Sequence, residues 1–561
     1  AACLSASFTS WRSRSAITRA DIYCPDGRVI ALDPAQVKKT APQGTDQFFE
    51  TTGEYLSYEL RGLETGCIAD FTTLTETYNP HRKDFFMPGW YFQSELPSAY
   101  SRARISVPQD VPLYYATRNF GAFSGSEPVV SSTGGFKIYN WETRDLPPVS
   151  AEPFMPPNGD VVPSLKASLL KNWEPIYDWG TALLQERSKP SPALARFTLE
   201  LVRNAATQEQ KAATIYHYVQ KNIRYVAVKS GIASFFGGYA ADTTWKRGWG
   251  CCIDKAILLT AMLSAAGIQS YTVYLNDNTS ESLQTQVPNL LLDHAISLAL
   301  VDGKRVYLDS TGYDFSYPDI DQFNHGATVF IPILHEISSV PVPEPRQNGR
   351  FHDYKLKLQK DGSASIAAEL RFSGAQQARL RGYYRESKPE ERKLSLERFA
   401  KQIFPKAELD DWEVRDFDAL EKPFAISLEL RAPNYAQKAG PFLIVTLPDL
   451  EMTADELAEA SLPGRAYPLQ HESSLGVYRN YELELPAGLE PVSLPERLAV
   501  LDKNFRFLLN CEQPAPGKIS CRAEQERKNR LIQPSDYAGY KRALERAAAL
   551  SRSRIILRSA R

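Results

Sequence analysis

Gly248-Trp249-Gly250-Cys251-Cys252-Ile253-Asp254-Lys255-Ala256, followed by Asp293-His294-Ala295 and then Leu308-Asp309-Ser310-Thr311, decides the reading of this chain. The first stretch opens a helix over Cys252–Ala266. Ile253, Ala256, Ile257, Leu259, Met262 and Leu263 make that helix apolar nearly all round, so it is expected to be buried, with Gly267 as its C′ residue. Cys252 then sits at a helix N-terminus, where the peptide dipole favours the thiolate, the nucleophilic form of cysteine. Its own first-turn N–H has no intrahelical acceptor and is oriented to bind an oxyanion. Gly248 and Gly250 would let a substrate backbone approach closely.

The other two stretches read as a hairpin. A two-residue loop at Asp302-Gly303 pairs Val301 with Lys304 and sets Asp309 opposite Ile296. His294 then shares a face with Ile296 and lies diagonal to Asp309, at roughly 7–8 Å between backbones, close enough for the two side chains to meet. A cysteine at a buried helix N-terminus facing an Asp–His pair is the layout of a Cys–His–Asp triad: Cys252 nucleophile, His294 base and acid, Asp309 orienting the histidine. Taken singly, each has a blander reading: a packing cysteine, a structural histidine, a turn aspartate. Trp245, Trp249, Gly250 and Cys251 are candidates to line the cleft or complete the oxyanion site, with core packing the alternative for the two tryptophans.

Working outward, helices are expected from Asn172 to about Glu186, over Pro192–Asn204, and from a Thr207/Gln210 capping box. The last runs into a strand at Ile223–Val228. Further strands are expected at Tyr271–Leu275, Ala295–Val301 and Arg305–Leu308, which makes the centre α+β. Residues 1–150 read as short strands broken by turns such as Pro25-Asp26-Gly27, and a proline-rich connector follows. Strand alternation returns after about residue 345. A charged helix at Pro389–Ile403 interrupts it, and a last helix follows Ser535. The expected architecture is multidomain: an N-terminal β-sandwich-like domain (1–160), the α+β core (161–340), a β domain with an inserted helix (341–435) and a β-rich terminal region ending in a helix (436–561).

The composition excludes several functions. With 561 residues, 65 Lys plus Arg and 66 Asp plus Glu, the chain is electrically balanced, against a nucleic-acid or polybasic membrane-surface protein. Its apolar runs fall short of the ~20 residues of a transmembrane helix. There is no dinucleotide fingerprint, P-loop, HExxH or paired CxxC, and none of the 7 histidines stands at zinc-ligand spacing. No metal and no cofactor is expected. Among the 7 cysteines, Cys511 and Cys521 flank a segment that reads as a hairpin, and Cys24 and Cys67 lie in β-like stretches. Both pairs are disulfide candidates, which would fit an oxidising compartment, with buried free thiols as the alternative. Cys3 is left over.

The motif Gly-x-Cys-x-Asp-Lys-Ala, the Asp-His-Ala strand, the Leu-Asp-x-Thr stretch and the preceding Tyr218-Val219-Gln220-Lys221-Asn222-Ile223-Arg224-Tyr225 resemble the bacterial transglutaminase-like superfamily. That resemblance implies a papain-like core with Cys252, His294 and Asp309 in the roles above, acting on a protein or peptide substrate. Residues 20–30, 60–68 and 92–108 resemble a β-rich domain of unknown function that often precedes such cores. By that likeness the first part of the domain is missing before Ala1. The C-terminal third resembles β domains that follow these cores, and such proteins commonly carry an export signal, which implies a periplasmic or otherwise extracytoplasmic location. The chain departs from the pattern at Cys251, where an acidic residue is usual, and at Ile253, where Lys is frequent. The two adjacent thiols also open a vicinal disulfide or redox role. A cysteine enzyme acting on amide or ester carbonyls is the leading reading, and water or an amine as acceptor separates peptidase or amidase from transglutaminase. A catalytically inactive binding or surface module is the alternative. Oligomeric state is not legible.

Overall fold

The structure, a computed structural model, describes residues 3–9, 11–40, 53–121, 123–226 and 236–559. The N-terminal part is built of four three-stranded antiparallel sheets around two small cores. The first core gathers Ile17, Ala20, Ile22, Leu56 and Tyr58, and a Cys24–Cys67 disulfide ties the ends of the paired strands Ser13–Tyr23 and Ile68–Thr77. In the second, strand Ser98–Pro108 alternates so that Ala103, Ile105 and Val107 point inward against the fully buried Trp141. Strand Ser164–Ser168, buried along its whole length, lies between Gly89–Tyr91 and Tyr114–Arg118. This β region therefore runs past the expected boundary at residue 160.

The central region is α+β. Helices Glu174–Arg187, Pro192–Leu201, Gln208–Asn222 and Ala241–Arg247 surround the helix Cys252–Ala265. Thr207 caps the third of these, its hydroxyl accepting from the Gln210 N–H at 3.1 Å. The Cys252–Ala265 helix is buried continuously from Cys252 to Leu263, which its all-round apolar sequence requires. Gly267 follows with φ of 79°, the left-handed conformation that ends a helix without a Cβ clash. The helix packs on a five-stranded antiparallel sheet in the order Lys304–Leu308, His294–Val301, Ser270–Leu275, Thr328–Ile331, Glu336–Ser339. The hairpin turns at Asp302-Gly303, both with positive φ, and pairs Val301 with Lys304. The strand expected at Ile223–Val228 is Arg224–Tyr225, with residues 227 and 228 outside the described ones.

The C-terminal third departs from expectation. Residues 341–435 and 436–561 do not form two cores. One eight-stranded sheet runs through both, joined where Gly349–Leu358 pairs in parallel with Leu475–Glu484. The physical reason is a shared alternation: Tyr354, Leu356 and Leu358 on one strand and Tyr481 and Leu483 on the other are buried in a single cluster. A helix at Ala375–Glu386 precedes the expected Pro389–Ile403 helix, and the terminal helix Pro534–Ser551 buries Tyr537, Tyr540, Leu544 and Ala548. Cys511 and Cys521 are directly opposite in their hairpin and joined as a disulfide. Among the described residues, no helix is long and apolar enough to cross a membrane.

Candidate active site

Strand Arg224–Tyr225 pairs in parallel with Trp249–Gly250, and the Arg224 and Val226 N–H groups donate to the Gly248 and Gly250 carbonyls at 2.8 and 3.0 Å. This clamp delivers the chain to the helix that starts at Cys252. The turn is locked from within the helix. Asp254, at N3, accepts from the Cys251 N–H at 3.0 Å, from the Tyr239 N–H at 2.7 Å and from Arg247 Nη2 at 2.7 Å. The bond back to the Cys251 amide is half of a capping box. Gly250 is required here by the packing of the turn itself: a Cβ would stand 2.6 Å from the Asp254 Cβ. Gly248, at φ of 73°, closes the preceding helix.

The structure brings Cys252, His294 and Asp309 together. His294 begins its strand and hydrogen-bonds the Cys252 side chain, while its Nε2–H donates to Asp309 Oδ2 at 2.8 Å. Nε2 being engaged, Nδ1 is the nitrogen left for the thiol. Asp309 is held in turn by four further donors. Its Oδ2 accepts from Asn324 Nδ2 at 2.9 Å, its Oδ1 accepts from the Thr311 N–H at 2.9 Å and the Thr311 hydroxyl at 2.6 Å, and its backbone carbonyl accepts from the Tyr216 hydroxyl at 3.0 Å. Burial raises the Asp309 carboxyl, but the His294 charge, its hydrogen bond and the Thr311 bonds outweigh that and hold it down at about 2. Burial disfavours the His294 cation, yet Asp309 and Cys252 win and raise its pKa well above the ordinary value. This arrangement favours the imidazolium form of His294.

Cys251 behaves differently. Its hydrogen bond with Cys252, then burial, push its thiol well above the usual range, and its Sγ donates to Asp254 Oδ2 at 3.3 Å. Neither cysteine is disulfide-bonded. Lys255 is fully buried one turn along the same helix, donating to the Ile223 carbonyl at 2.6 Å with its ammonium 5.5 Å from the Tyr313 ring centroid. Burial pulls its pKa down to about 7, with Asp309 opposing.

The two tryptophans separate. Trp245 donates its indole N–H to the Tyr218 hydroxyl at 3.1 Å and packs on Phe197, which removes it as an oxyanion donor. Trp249 is partly exposed, with the Arg247 guanidinium 4.0 Å from its ring centroid and 4.4 Å from that of Tyr239. Arg247, Asp254, Lys255 and Asn324 were not assigned roles by sequence reasoning. For Asp254 the signal is its place three residues after the helix cap; for Asn324 there is none. Among the described residues, Glu174, Asp178 and His335 form an exposed group with metal-ligand atoms within 4.8 Å of one another. It shares no residue with this site.

Residues 195–299 match the Transglutaminase-like superfamily, and residues 1–150 match a Domain of Unknown Function, DUF3857. No curated protein matches the sequence. Among solved structures, the chain is similar to a "putative protease" from Parabacteroides distasonis, with a TM-score of 0.67 and 16% identity over 99% of this chain and 91% of that one. A "putative cysteine protease" from Cytophaga hutchinsonii matches 40% of this chain and 78% of its own length at 13% identity and a TM-score of 0.19.

Proposed function

We propose that this chain, which carries a transglutaminase-like core behind a DUF3857 domain, is a cysteine enzyme that transfers or hydrolyses acyl groups of protein or peptide amides through Cys252, His294 and Asp309. The observation that carries the reading is the hydrogen-bonded series Cys252–His294–Asp309 at the N-terminus of a buried helix, with Nε2 to Oδ2 at 2.8 Å. The Cys252 thiolate attacks the carbonyl carbon, and the oxyanion is met by first-turn backbone amide at Cys252. His294 Nδ1–H then protonates the departing amine, leaving an acyl thioester. Water or a second amine loses its proton to Nδ1, attacks the thioester, and the thiolate leaves. Asp309 keeps Nε2 protonated throughout and stabilises the imidazolium.

Disulfides at Cys24–Cys67 and Cys511–Cys521 support a location outside the cytoplasm. The test is intact-mass spectrometry after mixing with an activated peptide ester. An acyl adduct on wild type that is absent from Cys252→Ala, and that water or an added amine discharges, is the expected result. An adduct that persists in Cys252→Ala, or none on wild type with any ester of a peptide panel, sinks the proposal in favour of an inactive binding module.

A further inference from the structure

His294 is reached through residues 276–293, eighteen residues without helix or strand. That is well beyond the usual loop of roughly 4–6 residues. Yet Leu283, Gln284, Val287 and Asn289 within it are buried. Part of what orders the loop comes from outside the core. Glu281 accepts from the Tyr91 hydroxyl and from Lys166 Nζ at 3.3 Å, and Lys166 also donates to the Tyr91 hydroxyl at 2.8 Å. The side chain of Lys166 is 4% exposed and that of Glu281 17%. Asp160 accepts from the Ser282 N–H at 3.0 Å and from its hydroxyl at 3.1 Å, and Arg118 Nε donates to Gln286 Oε1 at 3.2 Å. Tyr91, Lys166 and Arg118 come one from each strand of a single N-terminal sheet.

The grip is passed to the histidine. The Glu281 carbonyl accepts from Asn276 Nδ2 at 2.8 Å, and Asn276 Oδ1 accepts from the Asp293 N–H at 2.9 Å. The Asp293 carboxylate accepts from the Ser280 hydroxyl and from the Asp277 N–H, the latter at 3.4 Å. Asp293 directly precedes His294. We infer that the N-terminal β domain completes the active site of the core: Lys166 and Tyr91, acting on Glu281, are positioning groups that fix the loop delivering His294. This inference rests on the proposed triad. A buried ion pair breaks at high cost when one partner is removed, so the loop is sensitive to single changes on either side of the interface.

The test is the pH dependence of Cys252 alkylation by iodoacetamide in the full chain, read by peptide mass spectrometry, for wild type, Glu281→Ala, Glu281→Gln and Gly159→Ala. Glu281→Ala removes the acceptor. Glu281→Gln keeps an oxygen for Tyr91. Gly159→Ala alters no polar group but sets a Cβ 2.8 Å from the Glu281 Cδ, so it disturbs the clamp if Glu281→Ala does not fold. The expected result is at least a tenfold loss of labelling near pH 6.5 in Glu281→Ala, with the profile moved toward that of an ordinary thiol. Glu281→Gln, which keeps an oxygen for Tyr91 but not the charge that pairs with Lys166, should recover only part of the rate, and Gly159→Ala should fall between wild type and Glu281→Ala. A folded Glu281→Ala or Gly159→Ala variant with the wild-type profile overturns the inference while leaving the triad intact. A wild-type protein with no His294-dependent labelling fails the triad itself.

Discussion

Lys255→Met gives the most quantitative test of the site's electrostatics. Lys255 is fully buried, and burial lowers its pKa to about 7 from an unfolded value near 10.5. A lysine whose folded pKa is depressed favours folding in its neutral form. Its cost is therefore full below pH 7, shrinks as pH rises from about 7 to 10.5, and vanishes above. Each pH unit inside that window is worth ~1.4 kcal/mol, and rounding near the lower pKa leaves about 2 kcal/mol between pH 7 and 9. Wild type should gain that amount relative to Lys255→Met over this range. Losing the 2.6 Å bond to the Ile223 carbonyl offsets the variant by a constant of roughly 1–3 kcal/mol, which does not depend on pH. Groups common to both proteins cancel in the difference. The assay is urea unfolding at pH 6, 7, 8 and 9, followed by trapping of Cys251, whose thiol is buried and held protonated in the folded core, so that the core's transition is read separately from the flanking domains. A stability difference flat from pH 7 to 9 would refute the desolvated lysine. A flat difference is also what Asp309 would give if it dominated, because a lysine pKa raised above 10.5 changes stability only above that pH.

Three further outcomes follow from the geometry. Asp309→Asn should keep the fold, because the Thr311 N–H and hydroxyl still meet its oxygen at the Oδ1 position, but its NH2 then takes the Oδ2 position before His294 and Asn324, so the wrong imidazole tautomer is favoured and turnover on the peptide ester should fall by about 10²–10⁴-fold. Gly250→Ala should destabilise the core by roughly 1–3 kcal/mol in denaturant titrations, because its Cβ would lie 2.6 Å from that of Asp254. Replacing Cys511 and Cys521 by serine should cost about 2–3 kcal/mol in the C-terminal domain's unfolding, the chain-entropy value for so short a loop, without changing Cys252 labelling.

Local features of the sequence were the legible ones. The hairpin was readable because Asp302-Gly303 admits one turn type, and the turn fixes the register that places His294 near Asp309. The Cys252 helix was readable because its apolar residues cover every face. Trp245 was not, since its partner Tyr218 lies 27 residues earlier and no spacing rule links them. A second demand on Gly250 was hidden for a related reason. Its lack of a side chain makes room for Asp254, a contact that exists only once the turn has folded. The union of the C-terminal strands escaped because Gly349–Leu358 meets Leu475–Glu484 across more than a hundred residues, and alternation marks a buried face without naming its partner. The clamp on residues 276–293 was equally silent, as Lys166 and Glu281 are ordinary charges in sequence and become informative only by being buried together.

The central claim is an activated thiol held by His294. Its most direct measurement is iodoacetamide alkylation of Cys252 against pH, in wild type and His294→Ala. The account predicts selective labelling of Cys252 over Cys251 well below pH 8, because His294 stabilises the Cys252 thiolate while burial and the bond to Cys252 hold Cys251 protonated. In His294→Ala that labelling should disappear or move up to the range of an ordinary thiol. Labelling of Cys252 no faster than a free thiol in wild type, or unchanged in the variant, would contradict it.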